Sequence, residues 1–117
     1  MARHLLPALL LAAPALADPA EVVGATAERA GGSWTVTATL RHGDTGWDDY
    51  ADGWRVLSEG GDVLGTRTLA HPHVDEQPFS RSLSGVAIPE GTARVLIETS
   101  TTATGWGGAR YALDLPG

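Results

Sequence analysis

Two imidazoles and two carboxylates stand within one short stretch, His71-Pro72-His73-Val74-Asp75-Glu76. In an extended chain, side chains at i and i+2 point the same way, so His71 and His73 are spaced to share one metal ion. Pro72 biases His71 toward an extended backbone, although a polyproline twist with its period of three would splay the pair. Asp75, Glu76 or an acid from the loop 44–53 are the candidates to complete the shell. The sequence has no cysteine, and imidazole with carboxylate suits Zn²⁺, Cu²⁺ or Ni²⁺ rather than Cu⁺. The plainer reading is that one histidine caps the turn by hydrogen bonding and the other is solvated.

A second loaded stretch is Asp44-Thr-Gly-Trp-Asp-Asp-Tyr-Ala-Asp-Gly53. Its acids invite a Ca²⁺ reading, but they do not alternate as an EF-hand loop requires. Asp and Gly are also ordinary turn residues whose side chains bond nearby amides. Trp47, Asp48, Asp49, Tyr50 and Asp52, together with Trp106 further on, form a candidate surface for a ligand or partner. Aromatic rings beside carboxylates suit a sugar or an envelope protein equally. Against that stands a packing role, with Trp54 and Phe79 plugging the core and Trp47 and Trp106 covering it.

Catalysis has the least support, and the expectation is that this is not an enzyme. There is no Gly-x-Ser-x-Gly elbow, no His-Glu-x-x-His and no phosphate-cradling loop. A nucleophile would have to be a hydroxyl such as Ser80 beside His71 or His73.

The elements that must position these residues read as seven strands. The clearest is the second, where Trp34, Val36, Ala38 and Leu40 alternate with Thr35, Thr37, Thr39 and Arg41, the period of a half-buried strand. A first segment, 21–30, places Val23, Ala25 and Ala27 on one face. Others run over 54–59, 63–69, 79–86, 94–99 and 109–115. Arg81 shares a face with the apolar Phe79 and Leu83, which marks either an edge strand or a side chain reaching inward to a carboxylate, the edge being the plainer choice. Seven short strands with frequent turn signals predict an all-β, seven-stranded immunoglobulin- or fibronectin-like antiparallel sandwich, with a small β-barrel as the alternative.

If consecutive strands run antiparallel, their connections alternate between two ends. Connections one, three and five are the short turns Gly31-Gly32-Ser33, Gly60-Gly61-Asp62 and 87–91. Connections two, four and six are 42–53, 70–78 and 100–108; they collect His42, His71, His73 and six acids, and with Trp54 and Phe79 at the adjoining strand starts that end holds five of the seven aromatics. Long loops on a rigid scaffold are where binding residues gather.

Residues 1–17 read as a signal peptide. Arg3 precedes the apolar stretch 5–16, and Ala15-Leu16-Ala17 gives a small-x-small cleavage pattern before Asp18. That stretch is shorter than the roughly 20 residues needed to cross a bilayer. The expectation is a single domain over 18–117, periplasmic or secreted, with no membrane insertion once the leader is removed. From residue 18 onward seven arginines face fourteen acids, a net charge of −7 with no lysine. This argues against nucleic acid and anionic membrane surfaces as partners, which need a basic face.

The blocks TGWDDYADGWRVL (45–57) and LAHPHVDEQPFSRSLSGV (69–86), with the later Gly105-Trp106, resemble a group of small exported proteobacterial proteins of unassigned activity. The resemblance implies export and a single domain, and carries over no catalytic residue. Together these readings predict an exported binding module whose His/Asp/Trp-rich loop end takes a divalent metal ion (Zn²⁺, Cu²⁺ or Ca²⁺) or another small ligand. The alternative is an envelope interaction domain without one.

Overall fold

A computed structural model describes residues 18–117, so the leader and its cleavage site lie outside the described residues. Seven strands follow in order: β1 (Glu21–Ala30), β2 (Ser33–Arg41), β3 (Ala51–Leu57), β4 (Val63–Thr68), β5 (Phe79–Val86), β6 (Arg94–Thr101) and β7 (Gly105–Asp114). They form two antiparallel sheets, β1-β2-β5 and β4-β3-β6-β7. The sheets do not close on one another, so the sandwich holds and the barrel does not.

The period-two pattern of β2 puts Trp34, Val36, Ala38 and Leu40 into the core, with Phe79 and Val86 of β5 beside them. The opposing sheet contributes Trp54, Val56, Val95, Ile97 and Leu113. Burying side chains of this size stabilises by about 1.5–3 kcal/mol each before conformational entropy is counted. Thr99 also faces inward, and its hydroxyl donates to the Ala20 carbonyl at 2.7 Å, tying the entry of β1 to β6. A buried hydroxyl is tolerated where such a partner is present.

Three details depart from the sequence expectation. In β1 the register against β2 shifts between Val22 and Gly24. That bulge turns Val23 outward, and Val22, Ala25 and Ala27 meet the core instead. β3 begins at Ala51 rather than Trp54, which shortens the second connection to 42–50. The larger correction is the sixth connection. β6 runs on to Thr101 and β7 starts at Gly105, leaving a turn of Thr102-Ala103-Thr104 where a nine-residue loop, 100–108, is expected. The Thr101 hydroxyl accepts from the Thr104 amide at 2.9 Å, and Gly105 takes φ 73°, a conformation that suits glycine. β5 lies at the edge of its sheet, so Arg81 is an edge residue.

Candidate functional site

One buried carboxylate organises the loop end. Asp44 Oδ1 accepts from the Ala51 amide at 3.1 Å and from His42 Nδ1 at 2.6 Å, and its Oδ2 accepts from the His73 amide at 2.8 Å. The second connection is thereby fixed to the start of β3 and to the fourth connection at once. His42 extends the network. Its backbone amide donates to Gln77 Oε1 at 2.9 Å, and its Nε2 donates to the Asp18 carbonyl at 2.9 Å. Gln77 Nε2 closes the circuit by donating to the His73 carbonyl at 2.9 Å. A buried polar network with its members paired fixes one geometry.

His73 is 5% exposed. Its ring stacks on Phe79 with centroids 3.9 Å apart and planes 11° off parallel, and the His71 ring lies 4.6 Å away. Arg81 Nη2 donates to His73 Nε2 at 2.8 Å. A guanidinium only donates, so the ring proton sits on Nδ1, which is buried and has no partner among the described residues. Burial holds the His73 pKa below its ordinary 6.5, the Arg81 and His71 charges lower it further, and Asp44 and Glu76 oppose them.

This geometry bears on the expected metal ligands. His71 and His73 are neighbours, but the lone pair of His73 Nε2 faces a guanidinium. His71 Nδ1 donates to the Pro72 carbonyl at 3.1 Å. Asp75 and Glu76 are both exposed, and Glu76 stands 3.9 Å from Arg81. Among the described residues no group of three His, Cys, Asp or Glu side chains is arranged to hold a metal ion.

The partner-surface candidates separate. Trp47, 68% exposed, tops a loop braced by the Thr45 amide donating to Asp49 O at 2.9 Å, with Tyr50 edge-on at 5.6 Å. Thr102 ties that loop to the sixth connection: its amide donates to Tyr50 O at 3.0 Å, and its hydroxyl donates to Asp48 O at 3.2 Å and accepts from the Tyr50 amide at 3.1 Å. Asp49 Oδ1 lies 3.6 Å from His42 Nε2. Asp52 receives the Leu69 amide on its backbone carbonyl at 3.0 Å. Trp106 sits apart, on β7, on the outer face of the four-stranded sheet. Trp54 and Phe79 are core residues, as the packing reading has it. Asp44 and His42 are the residues that sequence reasoning passed over as a pair. Their i, i+2 spacing was the available signal.

No protein-family model matches the chain, and no solved structure does. The chain is similar to a protein of the archaeon Halomicrobium mukohataei named "Putative lipoprotein", with 41% identity over 96 residues that cover 81% of this chain and 47% of that protein. The likeness thus reaches an archaeal protein, where the string resemblance pointed to proteobacteria. The chain spans about half the length of the curated relative it matches.

Proposed function

We propose that this chain is an exported, envelope-associated interaction domain that docks a protein partner through its loop end. The supporting observation is a division of roles there. His42, Asp44, His73 and Gln77 direct hydrogen bonds at one another, while Trp47 and Val74, 68% and 52% exposed, project from the braced loops. Apolar and aromatic anchors on a preorganised backbone are what protein interfaces use. Export is supported by the leader pattern of residues 1–17 and by the name of the archaeal relative. A thiol-linked lipid has no attachment point among these 117 residues, which include no cysteine.

The test places a photo-crosslinking amino acid at position 47 or 74 in an exporting host, with position 62, in the turn at the opposite end, as control. A discrete partner band from 47 and 74 that is absent from 62 is the expected result. Equal labelling at all three positions would sink the docking reading. Thermal melts with EDTA, Zn²⁺, Cu²⁺ and Ca²⁺ examine the ion alternative: an ion-dependent rise in Tm abolished by His71→Ala and His73→Ala would replace docking with metal binding. The exported chain should begin at Asp18 by N-terminal sequencing.

A further inference from the structure

The outer face of the four-stranded sheet carries two adjacent cross-strand rows. One is Thr68, Gly53, Ser100 and Trp106. The other is Thr66, Arg55 and Glu98, with Arg110 reaching the same carboxylate. Gly53 is what lets the first row lie flat: a Cβ there would stand 3.3 Å from Cη2 of Trp106, so the indole spreads over bare backbone. Trp106 remains 40% exposed, and the Arg55 guanidinium lies 4.2 Å from the indole centroid.

Glu98 lies buried between two guanidinium groups. Its Oε1 accepts from Arg55 Nε at 2.8 Å and Nη2 at 2.6 Å, and its Oε2 from Arg110 Nε at 3.3 Å. One carboxylate against two arginines leaves a net positive charge. The same bias holds across the sheet. Its strands contain Arg55, Arg67, Arg94 and Arg110 against Asp52, Glu98 and Asp114, while the rest of residues 18–117 has three arginines against eleven acids. In an acidic domain, this sheet is the positive exception.

We propose that the Arg55–Trp106–Arg110 face binds an acidic glycan, a chain of sugar units bearing carboxylates. Arg110, half-exposed and joined to Glu98 through Nε alone, keeps its Nη donors for a glycan carboxylate, while Arg55, held by Glu98, adds positive charge beside the indole. The exposed indole offers a surface for the apolar side of a sugar ring, and the exposed Thr66 and Thr68 hydroxyls at the rim suit sugar hydroxyls. A peptide adding as a strand would pair with the backbone of an edge strand, β4 or β7, whereas the groups named here project from the face of the sheet. The surface includes neither Trp47 nor Val74, so it stands or falls independently of loop-end docking.

Titrating the folded chain with tetragalacturonate, and with galactotetraose as the uncharged control, tests it by calorimetry and by the Trp106 indole N–H resonance. The expected result is saturable binding of tetragalacturonate, weakened about tenfold or more by Trp106→Ala or Arg110→Gln and unchanged by Trp47→Ala. Circular dichroism checks that each variant is folded, and Arg110→Gln serves if Trp106→Ala is not. No binding up to about 10 mM would overturn the proposal, as would equal affinity for galactotetraose. Equally tight binding of polyphosphate, insensitive to Trp106→Ala, would overturn it too, by reducing the face to a general anion contact.

Discussion

Replacing Asp44 with asparagine tests whether one carboxylate holds the loop end together. Asp44 takes hydrogen bonds from the Ala51 amide, the His73 amide and His42 Nδ1, and its side chain is fully buried. Asparagine keeps one acceptor oxygen and puts an NH₂ where the other stood. Whichever way the amide is turned, a donor then faces a donor in the interior. Losing a charge-assisted bond costs about 1.5–3 kcal/mol, and the stranded donor about 1–3 kcal/mol more. Breaking a buried pair from one side gives a similar total, about 3–5 kcal/mol. For a domain of this size, that lowers Tm by roughly 15–30 °C. Urea midpoints and calorimetry would measure the loss beside Asp48→Asn, an exposed control expected within about 0.5 kcal/mol of the parent. Amide exchange at His73 and Ala51 should speed up in Asp44→Asn alone. A loss under about 1 kcal/mol, or unchanged exchange at His73, would refute the reasoning.

Three further outcomes follow from neighbouring contacts. The lowered pKa of His73 means that the unfolded chain binds a proton the folded one refuses; this contribution is intact above about pH 6.5 and is lost as pH falls toward the folded value. His73→Phe, which cannot be protonated, should flatten that part of the stability–pH curve measured by urea unfolding. Thr99→Val removes the donor to the Ala20 carbonyl and should cost about 1–2 kcal/mol by chemical denaturation, with faster exchange at the start of β1. Gly53→Ala places a methyl 3.2 Å from the Arg67 carbonyl and 3.3 Å from the indole. It should cost about 1–3 kcal/mol and shift Trp106 fluorescence to the red, read in a Trp47→Phe background.

The fold was legible wherever burial on one face of a sheet imposes alternation. β2 can be read residue by residue, because its outward partners are polar. β1 misleads at Val23, since an apolar residue gives no warning that a bulge will turn it to solvent. The sixth connection misleads for the opposite reason. Thr101 faces inward although its side chain is polar, and the glycines of 105–108 read as loop, so on paper β6 ends too early and β7 starts too late. At the loop end, the gathering of connections follows from antiparallel topology and is seen in the contacts joining 42–50, 70–78 and Thr102. The direction of each side chain was not legible. His73 and Asp75 look equivalent in a string, yet one is buried against Phe79 and the other is exposed.

The hydrogen bond from His42 to the Asp18 carbonyl has a practical consequence for handling the protein. It seats Asp18 among the loops, whereas β7 finishes at the far end, where the Leu115 amide donates to Ala93 O at 2.9 Å. Asp18 and Leu115 are therefore separated by the length of a ten-residue strand, about 30 Å. A reporter or solid support attached upstream would crowd Trp47 and Val74. The same attachment after Gly117 leaves them open, so tags and immobilised formats belong at the C-terminus.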